Sequence, residues 1–196
     1  MTIHHGPQQS DLTARARIRN AALELYATRG EGRVSMRTVA AEAGVTVGLI
    51  QHHFGTKAGL GQAVDDYVVD HFVSALATVE ESGSAQDVIA ARDDAVRVML
   101  RDSPLVVQYL NRSLTEPTHR GAHLLRALVD LMAHEIEGLR RSGYASTSTS
   151  RKVQVVRMLM DQIGQLFLEP MVDAVWEHLE GEPEVRPTAR ITVTER

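Results

Sequence analysis

The residues best suited to chemistry stand close together: Thr46, Val47, Gly48, Gln51, His52, Thr56 and Lys57 fall within one short stretch. Their types suit recognition by hydrogen bonding rather than bond making. A glutamine amide matches the edge of adenine bidentately, and a valine methyl can meet the methyl of thymine. Glycine lets a backbone approach closely. Thr46 serves first as a helix cap. Thr56 and Lys57 at the start of a helix add to its free N–H groups and positive dipole end, a ready site for phosphate.

Other constellations are weaker. His119 and His123 have the i, i+4 spacing of a metal pair on a helix, with Glu116 nearby. Arg120, however, stands where a metalloprotease carries its glutamate, and Pro117 unsettles the helix start. His134-Glu135 has no third ligand at motif spacing. There is no Gly-rich phosphate loop and no nucleophile elbow, and the chain contains no cysteine. The expectation is no catalytic residues, no metal and no cofactor.

The elements that position the first cluster can be read directly. Ser35 caps a short helix, with Val34 and Val39 at the staple positions around it. Gly44 supplies the positive φ that ends a helix at low cost. Thr46 then caps a second short helix, with Val45 and Ile50 as its staple. Two capped helices around a glycine are the sequence form of a helix-turn-helix, whose second helix enters the DNA major groove. If Leu49, Ile50 and Phe54 face inward, Gln51 and His52 face outward.

Upstream, Ala14, Ile18, Ala21, Ala22 and Leu25 form one apolar stripe on a first helix of about residues 12–29. Charge is placed unevenly. The chain carries −4 overall, yet residues 11–60 hold seven basic and four acidic side chains, a surplus of three positive charges. An acidic body would orient that basic end toward phosphate. Hydrophobic content of 43% and charged content of 23% are ordinary for a globular protein. The first ten residues have no apolar run, and no stretch approaches the roughly 18 apolar residues that span a bilayer. The expected location is therefore the cytoplasm, with no membrane partner.

Thr56 opens a long fourth helix, predicted to reach Glu80 without a linker. Ser82-Gly83-Ser84 breaks the pattern before a fifth helix, about 85–101. Ser103-Pro104 opens a sixth, to about Leu114, because proline is tolerated at the first helical position. Glu116-Pro117 breaks again, and a seventh helix covers about 118–141. The Ser/Thr-rich stretch 142–150 reads as a mobile loop. An eighth helix covers about 151–168, and Pro170 opens a ninth to near Glu180. The expected organisation is a flexible arm (1–10), a helix-turn-helix domain (11–56), a helical body (57–180) and a tail (181–196).

The last two helices are apolar nearly all round, from Val153 through Met158, Phe167 and Val172 to Trp176. Such helices must be covered on more than one side. Either they lie at the centre of a monomer or a second subunit covers them; a palindrome reader needs two-fold symmetry, which favours a homodimer. Asp161 and Gln162 interrupt this pattern. They reach a partner across the dimer, a ligand or water.

The segment Ile18–Gly30, with Val39-Ala40, Ala43-Gly44-Val45, Gly48-Leu49-Ile50, His53-Phe54, Lys57 and Leu60, resembles the DNA-binding domain of the TetR family of bacterial repressors. The likeness covers about the first third of the chain. One departure stands out: the family usually has Tyr, a phosphate contact, where this chain has Gln51. Gln51 therefore either reads a base or takes the phosphate role.

The resemblance adds Arg37 and His53 as DNA contacts, His53 alternatively packing on the first helix. It implies an all-α fold, an N-terminal three-helix DNA reader joined by a long helix to a C-terminal effector-binding and dimerisation domain. It also implies a palindromic double-stranded operator and pairing through the last two helices. A small, mainly apolar effector would enter a cavity walled mainly by helices five to eight. Met99, Tyr109, Leu128, Met132, Met158 and Phe167 are candidates for its wall, with His134 or Asp161 as polar anchors; for each, plain core is the alternative. A body that only dimerises, with no effector, is the alternative for the whole.

Overall fold

The computed structural model describes residues 9–115 and 121–179, and residues 185, 187, 189, 191 and 193. All regular structure in that range is helical: α1 (Gln9–Arg29), α2 (Met36–Ala43), α3 (Val47–Phe54), α4 (Lys57–Leu76), α5 (Ala85–Asp102), α6 (Pro104–Thr115), α7 (Gly121–Arg141) and α8 (Arg151–His178), with a 3-10 turn at Glu31–Arg33. Most of the expected arm, the Glu116-Pro117 break, His119 and most of the tail fall outside the described residues. Among the described residues, no group of His, Asp or Glu is placed to hold a metal. No described helix is long and apolar enough to cross a membrane.

The chain forms two compact units. The first comprises residues 1–71 and 102–124, and so includes α6 beside the predicted DNA reader. Its core gathers Ile18, Ala22, Tyr26, Val34, Val39, Ile50, Leu60, Val64, Val68 and Leu110. α1 packs on α6, and Arg112 of α6 donates to the carbonyls of Ala27 and Thr28 at 3.0 and 3.2 Å. A guanidinium is well placed there, since the last carbonyls of a helix lack intrahelical donors and carry the negative dipole end.

The second unit comprises residues 72–101 and 125–196. Val88, Val96, Leu128, Met132, Ile136, Leu139, Val155, Leu159 and Leu166 form its core. Ser84 and Asp87 make a reciprocal cap at the start of α5: Ser84 Oγ accepts from Asp87 N–H at 3.3 Å, and Asp87 Oδ2 accepts from Ser84 N–H at 2.9 Å. The Ser84 hydroxyl, donating to Asp87 Oδ2 at 2.7 Å, and then the Ser84 N–H hold the exposed Asp87 carboxyl below its ordinary pKa.

Four local expectations are corrected. α1 begins at Gln9, ahead of its apolar stripe, because a nucleated helix propagates through polar residues. α4 ends at Leu76 rather than Glu80; Glu80 and Glu81 would sit at the negative end of the helix dipole. The predicted break at Pro170 is absent, and α8 runs for 28 residues through it. One missing donor costs about 3 kcal/mol, but two separate helices would each leave four more backbone groups to satisfy. The 142–150 loop is pinned rather than loose. Arg140 Nη1 donates to Thr149 O at 2.9 Å and to Gln154 Oε1 at 2.7 Å, and Tyr144 Oη donates to Glu81 O at 3.1 Å.

Candidate nucleic-acid interface

The two short helices have the capping that their sequence requires. Ser35 Oγ accepts from Thr38 N–H at 3.1 Å, and Thr46 Oγ1 accepts from Leu49 N–H at 3.3 Å. Gly44, at φ 63° and ψ 41°, ends α2 in the left-handed region, where a side chain would be strained. Arg17 of α1 then closes the turn by donating to Ala43 O at 2.9 Å. Ile50 and Phe54 point into the core. Gly48, Gln51 and His52 are exposed on the other face of α3, flanked by exposed Thr46 and half-buried Val47. That face offers one amide, one imidazole and a backbone with no side chain in front of it.

The remaining predicted residues separate. Arg37 is exposed on α2. His53 is half-buried, its ring edge-on to that of Phe54 on the same helix with centroids 6.1 Å apart. Thr56 is exposed and its Oγ1 accepts from Gly59 N–H at 3.0 Å. Lys57 Nζ donates to the carbonyl of Glu31 at 2.6 Å, so its ammonium ties the 3-10 turn to the start of α4. Basic residues of α1 are also engaged: the Arg15 guanidinium stands 5.1 Å from the Phe54 ring centroid and that of Arg19 stands 3.6 Å from the Tyr67 ring centroid.

Gly59 holds the turn from α3 into α4 together. A Cβ there would lie 2.2 Å from the carbonyl oxygen of Phe54 and 3.3 Å from its carbon. That carbonyl accepts from Thr56 N–H at 2.8 Å, so it is already committed. Nothing in sequence spacing singles out Gly59, because its constraint comes from the preceding turn.

A buried polar cluster in the first unit is likewise invisible in periodicity. Asp65 of α4 is only 3% exposed. Its Oδ1 accepts from Tyr109 Oη at 2.6 Å, and its Oδ2 lies 3.0 Å from Nδ1 of His123. Burial, followed by the neighbouring Asp65 carboxylate, pushes the Tyr109 hydroxyl far above its ordinary pKa. Tyr109 thus sits in the first unit.

In the second unit, Met132 and Met158 line a shared hollow with Leu76, Ile89, Leu139 and Gln162, and with the charged Arg92, Asp93 and Glu135. The hollow has about 10 Å³ open to a water-sized sphere, room for about one water molecule. Buried Arg92 pairs with Glu135, and with Glu81 at 3.4 Å; burial lowers its pKa. Leu128 is core, Met99 and Phe167 are half-buried, and His134 is exposed. Asp161 is half-buried, with Gln165 Nε2 at 3.5 Å along its own helix. Arg92 carried a readable signal, a charge at the core register of α5 between Val88 and Val96.

On this geometry, Gln51→Ala is expected to change which duplex sequence is preferred while leaving binding to random DNA nearly unchanged. Competition binding with specific and random duplexes checks this. Equal weakening of both would assign Gln51 to phosphate.

Residues 18–64 match the sequence model of the family described as "Bacterial regulatory proteins, tetR family". The chain is 45% identical over 75 residues to the HTH-type transcriptional regulatory protein RaaS of Mycobacterium tuberculosis, covering 38% of this chain and 35% of that protein. It is 39% identical over 87 residues to the HTH-type transcriptional repressor Rv3405c of the same species, covering 44% of each. The matches thus span about a third to under half of these relatives. Among solved structures, a putative tetR family regulator from Shewanella sp. PV-4 superposes with a TM-score of 0.69 at 20% identity, covering 84% of this chain and 89% of that one. A putative TetR-family regulator from Rhodococcus sp. gives 0.65 at 24% identity, covering 82% and 87%. At such identities the structures speak for the fold alone.

Proposed function

Because the chain carries the DNA-binding domain of the TetR family of bacterial regulators, in an all-helical fold like that of TetR-family structures, we propose that it is a homodimeric, sequence-specific regulator of transcription. The observation that carries the reading is the outer face of α3. Its capped N-terminus, Gly48 and exposed Gln51 and His52 are what a helix needs to enter a major groove and meet base edges. In this reading Arg37, Thr56 and the N-terminus of α4 take phosphate. Two copies, paired through the apolar 151–180 stretch that forms α8, present two such helices to a palindromic operator in the cytoplasm.

The finer reading is a repressor released by a small, mainly apolar molecule bound in the 57–180 body, around Met132 and Met158. α4 runs by chain from the DNA-binding unit into the second unit, and a shift of its end would re-aim the head. The effector must bind the DNA-incompetent state better. A difference of ~3 kcal/mol moves the equilibrium roughly 150-fold. One observation favours the effector-free alternative: the hollow beside Met132 and Met158 has room for about one water.

Calorimetric titration of an effector with and without saturating operator separates the two. A releasing effector must bind more weakly in the presence of operator, by the same factor as it weakens DNA binding. Equal affinities would leave a dimeric regulator without that control.

A further inference from the structure

Two charged residues of the second unit occupy core positions on helices that line one hollow. Arg92 stands four residues after Val88 and four before Val96 on α5, and all three are buried. Glu135 stands on α7 between buried Met132 and buried Leu139, and it pairs with Arg92. A buried pair of this kind adds little stability, because desolvation takes back most of the attraction. Two apolar residues would serve a plain core as well or better. Gln162 of α8 lines the same hollow, half-buried, and makes no hydrogen bond among the described residues.

The hollow has a buried floor and an exposed rim. Leu76, Met132 and Leu139 are buried, whereas Ile89 is 41% exposed. Arg92 joins the largely buried carboxylate of Glu135 to the more exposed one of Glu81, 3.4 Å away. Its long stem lets the guanidinium swing toward water while α5 stays in place, and the room it leaves enlarges the hollow. Met132 and Met158, unbranched and adaptable, reshape the wall around an occupant. Charge decides what that occupant carries. Two carboxylates face one guanidinium, and Asp93 of the same wall is a further carboxylate, with an interaction of its own. An anionic head would add to the excess of negative charge. A cationic head takes over Glu135 and leaves Arg92 to Glu81, so that each of these buried charges keeps a partner.

We propose that this hollow is the polar end of the effector site, and that its ligand is an apolar molecule with a cationic head that displaces the Arg92 guanidinium and pairs with Glu135. This rests on the reading that the body binds an effector. Gln162 supplies a second polar contact to the head. The apolar remainder lies against Met132, Met158 and Leu76. Leu76 is the last residue of α4, so an occupant presses on the helix that continues into the DNA-binding unit.

The probes are octylguanidinium, octanoate and octanol, each titrated by calorimetry into the full chain and into its Glu135→Gln and Arg92→Met variants, with melting temperatures recorded alongside. Octylguanidinium is expected to bind the intact chain at least about tenfold more tightly than either other probe, the scale of a hydrogen bond to a charged group. Glu135→Gln is expected to remove that preference. Arg92→Met removes the competitor and should bind octylguanidinium about tenfold more tightly than the intact chain. Its melting temperature should fall, because Glu135 is left unpaired, and recover when the probe is added. Octanoate binding as tightly as octylguanidinium, or a preference for the cation that survives Glu135→Gln, would overturn the assignment while leaving the effector reading standing. If none of the three probes binds the intact chain or Arg92→Met, the effector reading falls with it.

Discussion

Gly59→Ala is expected to destabilise the DNA-binding unit by about 3 kcal/mol or more, the upper part of the range for forced overpacking, and to abolish specific DNA binding. The cause is a methyl group aimed at a backbone carbonyl 2.2 Å away. A side chain in that place could rotate aside; the Phe54 carbonyl cannot, because it also holds Thr56 N–H. Either α4 moves off the end of α3 or the turn at Gly55, with its φ of 69°, reopens. Both displace the recognition helix. Thermal unfolding of the variant and titration with duplex DNA measure the two consequences. An unchanged melting temperature together with full affinity would mean that the turn relaxes at no cost.

Asp65→Ala is expected to cost about 3 kcal/mol, because it removes a charged hydrogen bond and leaves the buried Tyr109 hydroxyl without its acceptor. Tyr109→Phe should cost less, roughly 1.5–3 kcal/mol. The two effects should not add, since both remove the 2.6 Å bond. Urea midpoints of the single and double variants give the coupling; a coupling near zero would deny the bond any part in stability. The pH dependence has a definite sign. Tyr109 is raised above the ordinary tyrosine pKa of about 10 by burial and then by Asp65. Its contribution is fully present below pH ~10 and is lost as the pH rises beyond that, when the unfolded chain can ionise and the folded one resists. Tyr109→Phe should show a shallower alkaline loss of stability than the intact chain.

How far the sequence could be read follows from the range of the forces involved. Caps and turns are local, so Ser35, Gly44 and Thr46 announce the helix-turn-helix, and the apolar face of Ile50 and Phe54 fixes which way Gln51 and His52 point. Arg17, Arg112 and Lys57 are a different matter. Each donates to a backbone carbonyl 26 to 85 residues away in sequence. Composition counts Arg17 and Lys57 toward the basic surplus of residues 11–60, and only the fold reveals these bonds. Asp65 and Tyr109 are separated by 44 residues and meet because α6 packs into the first unit. Periodicity assigns Tyr109 to a buried face without saying what it is buried against. In α8, the signal at Pro170 is real, but one lost backbone bond is outweighed by an apolar pattern that continues through Val172 and Trp176.

The most direct test of the central claim is selection of bound sites from random duplex DNA by the intact chain, followed by the stoichiometry on the selected sequence. The expected result is an inverted repeat, its half-sites about one helical turn apart, ~34–36 Å centre to centre, bound by two chains and losing affinity steeply with salt. Enrichment of no sequence, or of a single half-site bound by one chain, would contradict a dimeric operator reader.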